Sequence, residues 1–340
     1  MEAITREEKI MSGENLTPIT RKEMFLAKAA GQNIETPEPI TREEMFLSKI
    51  SGGGSGGGSG GEEWIGDGNT YIWITLQEGR TSPMFGVCPK GTVTVDWGDG
   101  TTPDVLTGTS VTSVQWTPTH EYATAGDYVI KLIVDGEMGF YGSSSTNQHS
   151  AILRYSSGAD RRNSVYQNSV QKVEAGNGVT SIGSYAFSSC YSLASVTIPD
   201  SVTSIEESAF SDCYSLASVT IPDSVTSIED SAFYSCRSLA SVTIPDRVTS
   251  IEESAFSSCY SLASVTITDS VTSIGSYAFI RCEGMRYYDF TNHTSVPTLA
   301  STNVFGNIPA DCEIRVPSAL YDEWIAATNW STYANQIVAV

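Results

Sequence analysis

Five cysteines, Cys190, Cys213, Cys236, Cys259 and Cys282, recur every 23 residues. Their thiols are the first groups in the chain that could bind a metal or act as nucleophiles. Zinc needs four ligands converging on the corners of a tetrahedron. A fixed repeat instead stacks successive sulfurs in a line about 5 Å apart, and no histidine shares the column. The spacing predicts a buried ladder of free thiols, with neighbour disulfides within geometric reach, and no metal or cofactor. Asp96 and Asp99, beside Gly98 and Gly100, could begin a calcium loop, but the EF-hand frame is absent and turn-stabilising Asx hydrogen bonds account for them more simply. His120, His149 and His293 are scattered, and Glu206, Glu207 and their equivalents recur as exposed repeat positions. No nucleophile elbow, phosphate-binding loop or HExxH motif occurs, so catalysis is not expected.

The remaining chemistry is that of recognition. Each of the first four cysteines is followed by one residue of a second row: Tyr191, Tyr214, Arg237 and Tyr260. Tyrosine and arginine are the usual interface anchors, and exposed aromatics can also stack on sugars. A third set alternates with buried Val and Ile: Ser195 and Thr197, Ser218 and Thr220, Ser241 and Thr243, Ser264 and Thr266. By the period of two these hydroxyls face outward together. They pave a polar, charge-poor face suited to a protein or a glycan on a cell surface.

The repeat must position these rows. Leu193, Val196, Ile198, Val202, Ile205 and Phe210 return every 23 residues up to Leu262 and Phe279. An apolar frame of that period is the mark of a solenoid, in which one unit cannot bury itself but a stack can. About six coils at roughly 4.8 Å each make a stack near 30 Å long. LASVTI is expected as a short strand, VTSI as a second extended piece and ESAF as a single helical turn. The unit SVTSIEESAFSDCYSLASVTIPD resembles the BspA-like leucine-rich repeat family of bacterial and bacteriophage surface proteins. The tail, Arg315 to Trp324 and on to Val340, resembles that family's C-terminal cap. Physically, a cap must cover the last coil's apolar end. Ser318 is expected to N-cap a helix whose Leu320, Trp324 and Ile325 do so.

Upstream of the array the residues alternate with a strand period, at 71–76, 91–97, 113–116 and 127–134. Trp97-Gly-Asp-Gly-Thr101 followed by His120-Glu-Tyr and Gly126-Asp-Tyr-Val129 resembles the polycystic-kidney-disease (PKD) domain family. That resemblance implies an immunoglobulin-like β-sandwich serving as a spacer or adhesive module. Further upstream, Thr5, Thr20 and Thr41 each stand three residues before a Glu, as in a capping box. Ile19 with Met24 and Ile40 with Met45 have the spacing of a hydrophobic staple. Met24, Phe25 and Leu26, and again Met45, Phe46 and Leu47, continue two short helices that need a larger assembly to dock on. SGGGSGGGSGG, with a root-mean-square span of roughly 15–20 Å, uncouples this segment from the strands beyond it.

The expected class is mainly β. Residues 1–50 form a short-helix docking segment, 51–61 a Gly/Ser linker and 62–140 a PKD-like β-sandwich. A connecting segment at 141–169 leads into the leucine-rich-repeat solenoid, 170–290, and the C-terminal cap, 291–340. Acidic residues outnumber basic ones 39 to 19, giving a net charge of −20, which disfavours nucleic acid and anionic lipid surfaces. No apolar run approaches the roughly 20 residues of a membrane span, and residues 1–10 lack the apolar core of a secretory signal. The expected function is non-enzymatic surface recognition on a virion or a cell, with a bacteriophage tail or head fibre preferred. A bacterial adhesin, a plain structural spacer and a homo-oligomer remain open.

Overall fold

Alternating β-branched and aromatic residues build six strands ahead of the repeats: Thr70–Leu76 (β1), Pro83–Asp96 (β2), Asp104–Thr109 (β3), Gln115–Trp116 (β4), Gly126–Phe140 (β5) and Leu153–Tyr155 (β6). The computed structural model describes residues 67–142, 152–155 and 168–340. The docking residues Ile19, Met24, Phe25, Leu26, Ile40, Met45, Phe46 and Leu47, and the Gly/Ser linker, lie outside the described residues. β2 is the organising strand. Its C-terminal half pairs antiparallel with β3 and β5, and its N-terminal half with β4 and β6. β6 falls within the segment expected only to connect.

The first coil contributes Val170–Glu174 (β7) and Val179–Ile182 (β8). Each later coil repeats the pair in shorter form: Ser195–Thr197 (β9) with Ser204–Ile205 (β10), Ser218–Thr220 (β11) with Ser227–Ile228 (β12), and Ser241–Thr243 (β13) with Ser250–Ile251 (β14). Ser264–Thr266 (β15) with Ser273–Ile274 (β16), and Tyr287–Asp289 (β17) with Thr298–Leu299 (β18), complete the series. Like residues pair across coils in parallel register, for example Val196 with Val219 and Ile205 with Ile228. Because the central coils share the same sequence columns, most of their buried side chains meet their own kind. The phenylalanine rings of Phe187, Phe210, Phe233, Phe256 and Phe279 stack at 5.3, 5.3, 5.2 and 5.4 Å.

ESAF is not a helical turn. Ser208 and Asp212 take φ of 54° and 60°, and the equivalent positions of the other coils do likewise. The reason lies in where the amides go. Ser208, Phe210 and Asp212 donate to the carbonyls of Asp230, Ala232 and Tyr234 in the next coil, at 2.9, 2.8 and 2.7 Å. The intervening amides of Ala209 and Ser211 close tight turns onto Glu206 and Ser208. Amides committed to the neighbouring coil cannot form an i→i−4 helix, so coil stacking overrides the local helical preference.

The N-terminal strands do not hang from the solenoid as a bead. β1 pairs antiparallel with β7, placing Ile72 opposite Val173, while β5 pairs in parallel with β8, placing Phe140 opposite Ile182. Both strand edges of the first coil are thereby hydrogen-bonded, and the buried side chains of the two parts form one core. Phe140 extends the phenylalanine column at 5.1 Å from Phe187. At the junction the backbone carbonyls of Gly68 and Asn69 approach Gly176 so closely that no Cβ fits there.

At the other end the cap adds strands as well as the expected helix. Glu313–Val316 (β19) and Ile337–Ala339 (β20) continue the parallel sheet beyond β17, on either side of a six-residue helix, Tyr321–Ala326 (α1). Trp324 and Trp330 are fully buried against Phe290. Ser318 is not the N-cap. Leu320 occupies that position without a side-chain cap bond, and the Ser318 hydroxyl donates instead to the Val340 carbonyl at 3.0 Å.

Candidate functional site

The thiol column sets the site's spacing from inside. Cys213, Cys236, Cys259 and Cys282 are buried and donate to the carbonyls of Phe187, Phe210, Phe233 and Phe256 at 3.2, 3.3, 3.3 and 3.4 Å. All seven cysteines are free and buried. Burial pushes the Cys190 thiol up to about 12 and raises the next four well above the usual thiol range. These sulfurs are therefore packing groups held protonated, not nucleophiles. Among the described residues no group of three or more His, Cys, Asp or Glu side chains is arranged to hold a metal.

One residue after each thiol the chain turns outward, and the structure brings the whole second row together. The Tyr191 and Tyr214 rings stack with centroids 4.9 Å apart and planes 16° from parallel. The Arg237 guanidinium lies 4.1 Å from the Tyr214 centroid and 5.9 Å from that of Tyr260. The three tyrosines are half-buried and Arg237 is exposed. Burial, with the Asp212 carboxylate nearby, raises Tyr214 above the usual phenol range despite Arg237, so its hydroxyl stays protonated. The consequence for binding is geometric. Ring faces that stack on each other are unavailable to a ligand, so Tyr214, covered by Tyr191 and Arg237, presents only its rim and hydroxyl beside the guanidinium edge.

Beside the ladder lie the outward hydroxyls. Ser195 pairs with Ser218 and Thr197 with Thr220, while Ser241 pairs with Ser264 and Thr243 with Thr266. All eight are half-buried or exposed. The strand column is interrupted between β11 and β13, which belong to different sheets. Across the ladder and strand stretches 191–198, 214–221, 237–244 and 260–267 the only charged residue is Arg237. In a chain of net charge −20 these stretches hold no acidic residue of their own, although the Asp212 carboxylate reaches Tyr214 from the adjoining turn. The repeat carboxylates sit elsewhere, where several accept bonds from their own or an adjacent coil. Glu206 takes the Ser184 amide and hydroxyl at 3.1 and 3.0 Å, and Asp230 takes the Glu253 amide at 3.0 Å.

The face ends in charged clamps. Lys172 pairs with Glu174 at 2.9 Å and lies over Trp73, while Arg315 pairs with Glu313 at 2.8 Å and lies over Tyr287. Sequence reasoning did not single out these residues as part of the face. The signal was alignment with the degenerate coils, because Lys172 and Glu174 occupy the Ser195 and Thr197 columns. Trp73 carried no such signal, since it reaches the face only through the β1–β7 pairing.

In the N-terminal unit, Asp96 accepts from the Gly98 amide at 3.0 Å, and Asp99 from the Thr101 amide and hydroxyl and from His120 at 2.8 Å. Burial alone would raise Asp99, but these bonds outweigh it and hold the carboxyl below its usual range. His120 stacks on Trp97 at 4.3 Å, and the Tyr122 hydroxyl donates to the Trp97 carbonyl. Gly98 has a φ of 74° against the Val129 carbonyl, a place open only to glycine. The carboxylates are thus engaged in turn and strand packing.

Among the described residues no helix is long and apolar enough to cross a membrane. No curated protein matches the chain. Several solved structures are similar over part of it. The leucine rich repeat protein TpLRR of T. pallidum shares 26% identity over 52% of this chain and 84% of its own, with a TM-score of 0.34. The pneumococcal vaccine antigen PcpA shares 18% over 57% of this chain and 45% of its own, with a TM-score of 0.41. A leucine rich cell surface protein from Faecalibacterium prausnitzii A2-165 shares 30% over 44% and 54%, with a TM-score of 0.27. The chain thus spans about half the length of the last two. Residues 161–286 match the BspA type Leucine rich repeat region in six copies. That match covers the coils that carry the thiol column, the hydroxyl face and the Tyr/Arg ladder, and there the chain carries the BspA-type leucine rich repeat.

Proposed function

We propose that this chain is a non-enzymatic recognition and adhesion protein that meets a cell surface through the strand side of its solenoid. One observation carries the reading: a continuous Tyr191–Tyr214–Arg237–Tyr260 stack stands on coil stretches without acidic residues in an otherwise strongly acidic chain. Tyrosine and arginine are enriched at interface hot spots, and pre-stacked side chains lose little conformational entropy on binding. The occupied ring faces favour a protein partner over a sugar stacked on the tyrosines. The hydroxyl face of Ser195, Thr197 and their equivalents favours a second reading, a glycan held by hydrogen bonds alone.

The finer reading places the protein on a bacteriophage virion, as a tail or head fibre. Its support is the repeated capping-box segment 1–50, with its Ile, Met, Phe and Leu residues, joined by the Gly/Ser linker. That segment would dock to a larger assembly. The Trp97–His120–Asp99 packing supports a PKD-like sandwich between linker and solenoid. The test is twofold. Mass spectrometry of purified virions should find the chain in fixed stoichiometry, and recovery from a bacterial cell wall instead would replace the phage reading with that of a cell-surface adhesin. Host-cell binding by the full chain should fall with Tyr191→Ala and Tyr260→Ala. Unchanged binding would remove the ladder from the interface, and no saturable binding to any surface would leave a structural spacer.

A further inference from the structure

Four cations lie over aromatic rings among the described residues, and three of them obey one rule. Lys131 over Tyr71 also pairs with Asp67 at 3.0 Å, and Lys172 over Trp73 with Glu174 at 2.9 Å. Arg315 over Tyr287 pairs with Glu313 at 2.8 Å. Each stacked cation has a carboxylate of its own. Arg237 is the exception: it contacts two rings, at 4.1 and 5.9 Å, yet pairs with no described carboxylate in a chain of 39 acidic residues. The sequence columns explain the gap. The strand positions that hold Glu174 and Glu313 at the two ends hold only Ser and Thr in the coils around Arg237.

A guanidinium stacked on rings keeps its five N–H donors in a plane that the rings do not cover. Stacking also restricts the side chain, so the fork is presented before any partner arrives. Such a fork matches a carboxylate, bidentate and charge-assisted. The Arg315–Glu313–Tyr287 cluster shows the completed arrangement within the same molecule. We propose that Arg237 is a docking point for a carboxylate supplied from outside, the Asp or Glu side chain of a polypeptide lying across the ladder. The inference rests on the strand side being the recognition face, and adds to it the partner's chemistry. A polypeptide is favoured over an acidic sugar because the Tyr214 ring is stacked against both Tyr191 and Arg237, leaving rim contacts of the kind side chains make. The coil stretches around Arg237 carry no acidic residue, and the Asp212 carboxylate is engaged by Tyr214, so an incoming carboxylate finds no ion-paired competitor on the fork.

The experiment pans a random twelve-residue peptide library on the full-length chain and measures the selected peptides by calorimetry. Selected peptides should share an Asp or Glu. Changing that residue to Asn or Gln should weaken binding at least about tenfold. Arg237→Gln and Arg237→Lys should cost as much, and in the Arg237→Gln chain the peptide change should have no further effect. Arg237 is exposed, so both variants should keep the parent melting temperature. Peptides that bind Arg237→Gln fully but lose affinity to Tyr191→Ala and Tyr260→Ala would overturn the carboxylate fork and leave the face intact. Peptides indifferent to all these variants would overturn both. Recovery of no peptide, or binding of polygalacturonate alone with loss in Arg237→Gln, would overturn the polypeptide assignment.

Discussion

The thiol of Cys213 donates to the carbonyl of Phe187 one coil earlier, at 3.2 Å, and the same bond recurs up the stack. It joins two side-chain columns that sequence alone shows only as parallel lists. Because every thiol is buried and raised, the native chain should release no thiol to Ellman's reagent at pH 8, and all seven after unfolding. Rapid native labelling of the column would refute its burial. Cys236→Ala should destabilise by about 1–2 kcal/mol, through a lost bond and a small void, as read by urea unfolding.

Tyr288 stands in the column otherwise held by Val196, Val219, Val242 and Val265, and its buried hydroxyl has only the weak Cys282 thiol as a partner. Leaving such a group poorly satisfied costs about 1–3 kcal/mol. Tyr288→Phe keeps the ring between Phe279 and Phe305 and removes the cost. Unfolding midpoints should rise for this variant, and a drop would show that the hydroxyl is satisfied after all.

His293 is buried at the junction of the last repeat with the cap, between the Phe290 and Trp324 rings. Its Nε2 donates to the Ile267 carbonyl at 3.1 Å, and Asp269 lies 3.8 Å from Nδ1. Burial lowers its pKa, although the Ile267 bond, Asp269 and Ser295 oppose the shift. The folded chain therefore resists a proton that the unfolded chain accepts. Stability should be complete above about pH 6.5 and fall as pH drops below it toward the folded value. A lower Tm at pH 5.5 than at pH 7.5 is expected from this group. His293→Gln should remove that part of the pH slope, and an identical slope in the variant would assign it elsewhere.

Ser231 and Ser254 hold φ of 56° in the turns that stack coil on coil. Left-handed backbone costs a non-glycine residue about 1–2 kcal/mol. Ser254→Gly should therefore stabilise by up to about 1 kcal/mol, whereas Ala255→Gly, beside it, should destabilise. Equal effects in denaturant titrations would remove the backbone explanation.

Because β1 and β5 complete both edges of the first coil, a chain starting at residue 168 would expose the β7 and β8 edges and one face of Phe187. It should aggregate or elute as mixed oligomers in gel filtration. A monodisperse fragment with the parent Tm would make the N-terminal unit a separable spacer.

The 23-residue period, the core columns and the membership of the Tyr/Arg row were legible in the sequence, because a solenoid puts residues one repeat apart beside each other. Any column can be read by counting. The turn conformation of Ser208 and Asp212 was not legible, since it depends on amides claimed by the next coil rather than on local propensity. Nor was the joining of Ile72 to Val173 and of Phe140 to Ile182, where no period relates the partners. The Ser318 hydroxyl likewise found its acceptor 22 residues away, at Val340. Sequence could place Arg237 in its row, but only the tertiary structure showed it stacked between tyrosines with no ion-paired carboxylate among the described residues. Pairing across the strand face is decided by which side chains reach each other in three dimensions.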